Sequence, residues 1–201
     1  MNKHATKSYN QYFDGYSERE VVTSDGKVKI ERFYTGAYYR EDVSDDIWKR
    51  RKWAVGGLYA MALLLYFACG TVNCEANSCW YVILFSGITL AAVIFTTMNV
   101  WTKLTAQRDM IARVFRSTSE QYQKRVRFTS VTMLLTAGAV LVNMVLDRSA
   151  WQMKAILCLA GYAFSGLTML RLSQLEEQNQ YRQIKNEIKL KDLDEFVEIT
   201  Y

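Results

Sequence analysis

Four long apolar segments alternate with charged segments along this chain of 201 residues. They cover residues 54–72, 80–101, 128–146 and 155–170, and none contains Asp, Glu, Lys, Arg or His. A helix rises about 1.5 Å per residue, so roughly 20 apolar residues cross a hydrocarbon core of about 30 Å. We therefore predict four transmembrane helices. The last is extended back to residue 152, because the stem of Lys154 can lie along the helix while its ammonium reaches the headgroups.

The tryptophans support the same four spans. All five lie at or next to a predicted boundary: Trp48, Trp53, Trp80, Trp101 and Trp151. An indole has an apolar body and one N–H donor, so it favours the headgroup level of a bilayer. We predict that these residues anchor the spans at the membrane interface. The alternative is a soluble all-α bundle with fully buried helices, which gives no reason for this placement.

The distribution of positive charge predicts the orientation. Lys and Arg precede the first span at residues 49–52 and are frequent in the segment 102–127, whereas the segment 73–79 has none. Because these residues resist translocation, we expect both termini to be cytoplasmic. The net charge of +5 comes largely from these flanks, and acidic residues outnumber basic ones over positions 1–47, so no nucleic-acid partner is expected. With no apolar signal segment near the N-terminus, the pattern favours a plasma membrane protein of bacterial type.

The charged segments divide the chain into three parts: a cytoplasmic segment 1–47, a transmembrane domain 48–171 and a cytoplasmic helix and tail 172–201. In the first part, two β-prone stretches flank Asp25-Gly26 and predict a β-hairpin near 19–34. Asp-Gly is typical of a two-residue hairpin turn, because it adopts positive φ angles. Ser44, followed by two aspartates, is typical of a helix N-cap leading into the first span.

The segment between the second and third spans carries a helical pattern. Leu104, Ile111 and Phe115 recur at near-helical spacing, and Ser117 with Glu120 resembles a capping box. We predict a cytoplasmic helical hairpin over 102–127. The predicted fold is therefore an all-α integral membrane protein: an antiparallel bundle of four transmembrane helices with a small N-terminal cytoplasmic β-hairpin and helical cytoplasmic extensions.

The cysteines suggest a structural disulfide and not a catalytic redox site. Cys74 and Cys79 lie in the loop predicted to face an oxidising compartment, where a disulfide persists, so we predict a bridge between them. Cys69 and Cys158 are expected to be buried thiols. The chain has one His, no Cys-x-x-Cys pair and no phosphate loop, and we expect no metal, no cofactor and no catalytic residues.

Small residues predict close helix packing. Gly161 and Ser165 form a small-xxx-small pattern in the fourth span, and Gly57 marks a second position of close approach. The absence of ionisable residues from the spans disfavours ion-coupled transport.

Three functions remain open at this stage. The first is a structural or accessory subunit, or an adaptor, that contacts a partner protein through its cytoplasmic surfaces. The second is a homo-oligomeric channel or transporter for a neutral solute. The third, least favoured, is a membrane thiol oxidoreductase. Membrane lipid is an expected partner in all three.

Overall fold

A computed structural model of the chain describes residues 16–22, 28–34, 36–147 and 151–184. These residues form two compact units. A helical unit consists of residues 43–106 and 117–179, and a sheet unit contains the described parts of 1–42, 107–116 and 180–201.

Four long helices dominate the helical unit. They are α1 (Asp45–Gly70), α3 (Trp80–Thr105), α5 (Gln121–Leu146) and α6 (Met153–Glu177), and the short α2 (Glu75–Ser78) lies between α1 and α3. All four long helices have the length and apolar composition needed to cross a membrane. Ser44 is the N-cap of α1, as predicted, with acidic residues in the first turn. The four apolar segments of the sequence are therefore confirmed as four long helices.

Each of the long helices packs mainly on particular neighbours. Helix α1 packs mainly on α6, α6 on α5, and α5 on α3, whereas α1 and α3 approach each other less closely. Tyrosine hydroxyls bridge that wider gap: Tyr59 Oη lies 2.6 Å from Thr97 Oγ1. The core is filled by fully buried side chains such as Tyr122, Met133 and Met169. Much of the remaining apolar surface faces outward, which is what helices surrounded by lipid require.

The sheet unit contains two small β-sheets. Strands β1 (Tyr16–Val22) and β2 (Val28–Tyr34) form an antiparallel hairpin. In the second sheet, β3 (Tyr38–Glu41) lies between β4 (Met110–Ile111) and β5 (Tyr181–Ile184), in the order β4-β3-β5. A two-residue Asp25-Gly26 turn would pair residue 22 with residue 29. The observed register pairs Val22 with Val28. The Asp25-Gly26 turn predicted from the sequence lies outside the described residues.

The predicted helical hairpin over 102–127 is wrong. Helix α3 ends at Thr105, and residues 110–111 form β4. A short helix α4 (Ala112–Phe115) follows, then a π-helical turn (Arg116–Glu120) that continues into α5. The proposed capping box at Ser117 and Glu120 therefore lies inside a helix. Near-helical spacing of apolar residues could not reveal that β4 pairs with β3, some 70 positions earlier.

The predicted helical extension after the fourth span is only partly present. Helix α6 continues to Glu177 and then stops, and Tyr181–Ile184 forms strand β5 against β3. The rest of the predicted tail, from residue 185 onward, lies outside the described residues.

Candidate functional site

The three-stranded sheet joins segments that are far apart in the sequence. Its central strand comes from before the first long helix, β4 from between α3 and α5, and β5 from after α6. Two rings beside it pack on Phe115: Tyr39 is stacked at 4.3 Å between ring centres, and Tyr181 is edge-on at 4.9 Å. Because each strand is too short to be stable alone, these aromatic contacts supply much of the packing that holds the sheet together.

Tyr34 connects the hairpin to this sheet. Its ring packs edge-on against Tyr16 at 5.2 Å and Tyr38 at 5.3 Å. Its hydroxyl donates to the carbonyl of Ala37 at 2.9 Å and accepts from the backbone N–H of Ala112 at 3.0 Å. Burial raises the pKa of Tyr34, so the phenol stays protonated and able to donate.

An ion pair anchors the segment between α3 and β4. Arg40 on β3 donates from Nε and Nη2 to the two carboxylate oxygens of Asp109, at 2.5 and 2.6 Å. This bidentate hydrogen bonding from Arg40 holds the pKa of Asp109 below its usual range. Both side chains are more than 40% exposed, so the pair contributes more to geometry than to stability.

A cavity of about 630 Å³ lies beside the outer strand of the sheet. It is lined by three arginines (Arg40, Arg108 and Arg182) together with Glu41 and Asp42. Arg182 and Gln183 on β5 are exposed to solvent. This edge is the part of the sheet unit best placed to meet another molecule.

The hydrogen-bonding pattern between β3 and β5 shows which backbone groups of β5 point away from the sheet. The N–H of Asp42 donates to the carbonyl of Gln180 at 3.0 Å, so this pair is hydrogen-bonded. In an antiparallel ladder, hydrogen-bonded pairs recur at every second residue, so Arg182 and Ile184 also direct their backbone groups toward β3. The N–H and C=O of Gln183 therefore point away from β3. Within the described residues, β5 is an edge strand.

The helical unit contains a buried ion pair that the sequence analysis missed. Lys103 donates to Glu176, and only 12% and 4% of these side chains are exposed. Lys103 also donates to the carbonyl of Thr118 at 3.4 Å and lies 4.8 Å from the centre of the Tyr122 ring. Glu176 Oε2 accepts a further hydrogen bond from Asn179 at 2.9 Å. Both residues lie outside the apolar segments, so the sequence alone predicts that their side chains are exposed to solvent.

Hydroxyl pairs connect α3 to α5. Thr96 Oγ1 lies 2.8 Å from Thr129 Oγ1, and Thr89 Oγ1 lies 3.3 Å from Thr136 Oγ1, and all four residues are buried. These threonines therefore hydrogen-bond across a helix interface.

The predicted Cys74–Cys79 disulfide is not present. All four cysteines are free thiols. The sulfur of Cys74 lies 3.8 Å from that of Cys158, and both residues are buried. Cys79 instead accepts a hydrogen bond from Asn143 Nδ2 at 2.9 Å. The two predicted partners are only five positions apart in the sequence, but the four residues of α2 lie between them, and their thiols contact different long helices.

Cys69 joins the same cluster of thiols. Its carbonyl accepts hydrogen bonds from Cys158 Sγ at 3.5 Å and from Asn77 Nδ2 at 2.9 Å. A Cβ added at Gly161 would overlap with Cys69 Sγ, so α1 and α6 approach closely at this position. Ser165, one turn further along α6, donates to the carbonyl of Gly161 at 2.8 Å.

Gly57 has a different environment. A Cβ added there would meet no atom within 4 Å, so this glycine is not needed for packing within the described chain. The close approach predicted at Gly57 is therefore not present within the described chain. By contrast, a Cβ added at Gly166, a position not predicted from the sequence, would lie 2.8 Å from Leu134 Cγ and 3.2 Å from the Leu134 backbone nitrogen, so α5 and α6 approach closely there.

Four of the five tryptophans are largely exposed. The exposed fractions are 82% for Trp53, 74% for Trp80, 68% for Trp101 and 60% for Trp151. Trp48 is half-buried, and Lys52 Nζ lies 4.5 Å from the centre of its ring. Exposed indoles near helix ends are what an interfacial role requires, and that role stays a prediction.

Comparison with known proteins adds no identity to this geometry. No protein-family model, curated protein or solved structure matches the chain.

Proposed function

We propose that this protein is a multipass membrane protein that acts as an accessory subunit or adaptor, with the sheet unit as its contact surface. In this proposal the four long helices form an antiparallel transmembrane bundle in a plasma membrane. Both ends of the chain and the sheet unit lie on the cytoplasmic side, in accordance with the basic residues beside the spans.

The observation that carries the proposal is the outward direction of the Gln183 backbone on β5, which is an edge strand within the described residues. An edge strand presents a row of backbone donors and acceptors, and an extended segment of another protein can add to it as a further strand. Exposed Gln183 directs its backbone N–H and C=O to that side. The neighbouring cavity is lined by arginines together with Glu41 and Asp42, so it offers charged side chains of both signs to a partner segment.

The helical unit supports the same proposal indirectly. Its buried threonines hydrogen-bond to one another, and its buried charges pair with each other. These groups hold the helices together, so they support a packing role and give no support to the channel or transporter hypothesis.

Affinity purification in mild detergent, from cells that make the tagged chain at its native level, tests the proposal. Mass spectrometry should find a protein at equimolar amounts with the wild-type chain. The substitution Gln183→Pro should remove that protein, because proline lacks the outward N–H; an edge strand tolerates proline at such a position. The matched control Gln183→Ala keeps the N–H and should retain the partner.

Two results would count against the adaptor. A pure homo-oligomer would favour the channel hypothesis, which liposome flux with the purified chain would then test. Equal partner recovery with proline and alanine at position 183 would show that the β5 edge is not the contact surface.

A further inference from the structure

A groove on the surface of the helical unit runs between α3 and α5. Its volume is about 620 Å³. Apolar residues line most of it, chiefly Ile88, Ala92, Phe95 and Phe128, and two cations, Lys124 and Arg125, lie at one end. The rings of Phe95 and Phe128 are more than half exposed, so the groove opens to the surroundings of the helices.

The guanidinium of Arg125, which belongs to α5, contacts the apolar part of α3. Its Nη1 donates to the carbonyl of Phe95 at 3.2 Å and to Asn99 Oδ1 at 3.0 Å. Phe95 and Asn99 precede Trp101 by six and two residues. They therefore lie about 9 and 3 Å further into the apolar segment along the helix axis. On its own helix, Arg125 comes only three residues before Phe128, where the apolar run begins. The guanidinium is therefore near the level where hydrocarbon replaces headgroups.

Within the described residues, neither Lys124 nor Arg125 forms an ion pair with a carboxylate. The ion pairs of Asp109 and Glu176 are with Arg40 and Lys103. Glu120, one turn away on the same helical segment, forms no ion pair with Lys124. Arg125 donates both of its hydrogen bonds to α3 from Nη1, which leaves Nε and Nη2 as further donors of a planar fork suited to phosphate.

A cation at the edge of the hydrocarbon is costly unless an anion or water compensates it. Basic pockets between transmembrane helices commonly bind anionic headgroups for this reason. Here the apolar lining continues from Phe95 to Ile88, about 10 Å along α3, which is the direction that an acyl chain attached to that headgroup would follow.

We propose that this groove binds one anionic phospholipid. Lys124 and Arg125 hold its phosphate, and one acyl chain lies over Phe95, Ala92 and Ile88. This inference depends on the four helices being in a membrane, and it is independent of any partner at the β5 edge.

Native mass spectrometry of delipidated protein in detergent tests the site. The probes are phosphatidylglycerol and phosphatidylcholine with the same acyl chains. The wild-type chain should bind one phosphatidylglycerol in preference to phosphatidylcholine. Removing one cation near a membrane surface weakens anionic lipid binding by about fivefold, so Arg125→Gln and Lys124→Gln should each have that effect, and the double variant about twenty-five-fold.

Two controls separate the site from general surface charge and from free phosphate. Arg127→Gln removes an exposed cation of α5 that does not line the groove, and it should change affinity less than twofold. Ala91→Phe fills the groove without changing its charge and should reduce phosphatidylglycerol binding; Ala60→Phe, on an exposed face of α1, should not. Inorganic phosphate at the same concentration should not displace the lipid.

The proposal is overturned if the two lipids bind equally, or if Arg127→Gln weakens binding as much as Arg125→Gln. It is also overturned if the folded wild-type chain retains no lipid. Should Arg125→Gln fail to fold, as judged by its melting profile, Lys124→Gln and Ala91→Phe decide the question alone, because both side chains project from exposed helix surface.

Discussion

The contact between α1 and α6 at Gly161 gives a sharp test of the helical packing. In Gly161→Ala the new methyl group would overlap with Cys69 Sγ, and Cys69 is 9% exposed, so its thiol has little room to move. Overpacking of this kind costs about 1–3 kcal/mol. Alanine also gains about 1 kcal/mol over glycine in a helix, which offsets part of that cost.

Gly57→Ala is the matched control, because its methyl group would meet no atom within 4 Å. It receives the same gain in helix propensity without the overlap. The free energies of unfolding of the two variants should therefore differ by about 1–3 kcal/mol, with Gly161→Ala the less stable. Unfolding by SDS titration of the detergent-solubilised protein, followed by far-ultraviolet circular dichroism, measures this difference.

A double-mutant cycle identifies the atom responsible. In the Gly161→Ala, Cys69→Ala variant the sulfur is gone, and the nearest Cys69 atom is its Cβ at 3.7 Å, an ordinary contact. The second substitution should therefore recover about 1–3 kcal/mol, measured as the coupling energy. If Gly161→Ala is as stable as Gly57→Ala, or if Cys69→Ala does not rescue it, α1 and α6 do not pack as described.

Three further predictions follow from the polar contacts. Glu176→Gln should destabilise the helical unit by about 3–5 kcal/mol, because it leaves the buried Lys103 charge uncompensated, whereas Lys103→Met with Glu176→Leu should recover most of this loss in the same SDS titration. The pKa of Asp109 lies below its usual range, so its ion pair should contribute fully above about pH 4 and be lost as the pH falls through the lower folded pKa; acid unfolding of Asp109→Asn should lack that step. Diamide should link Cys74 to Cys158, as peptide mapping by mass spectrometry would show.

Each of these has an outcome that contradicts it. Equal stability of Glu176→Gln and wild type would mean that the charge is solvated. A pH profile unchanged by Asp109→Asn would place the acid transition at other groups. A diamide product linking Cys74 to Cys79, and lost in Cys79→Ser, would restore the disulfide predicted from the sequence.

The sequence was sufficient to predict the four long helices, because a charge-free apolar segment of that length is typical of a long apolar helix. Their ends were harder to predict. Lys103 and Glu176 extend α3 and α6 beyond the apolar runs, and both are buried because each neutralises the other across 73 positions of sequence. Such a pair cannot be predicted if every charged residue is assumed to be exposed to solvent.

Contacts distant in sequence also explain the errors in the candidate site. The strand character of Met110–Ile111 and Tyr181–Ile184 comes from pairing with Tyr38–Glu41, which no local pattern reveals. The thiol neighbours were misjudged for the same reason: Cys74 and Cys158 are 84 positions apart in the sequence. Local patterns predicted the elements, but not the partners of the side chains at their ends.

The order in which the long helices pack has a consequence for synthesis. Helix α1 leaves the ribosome first, yet its main partner, α6, is made last. Helices α1 and α3 therefore have little contact with each other when they are made, and the hydroxyls of Thr89 and Thr96 lack their partners until α5 follows. A nascent chain halted before Met153 can pair α3 with α5, but its α1 still lacks its main packing partner. Assembly of the helical unit is thus tied to the completion of its last helix.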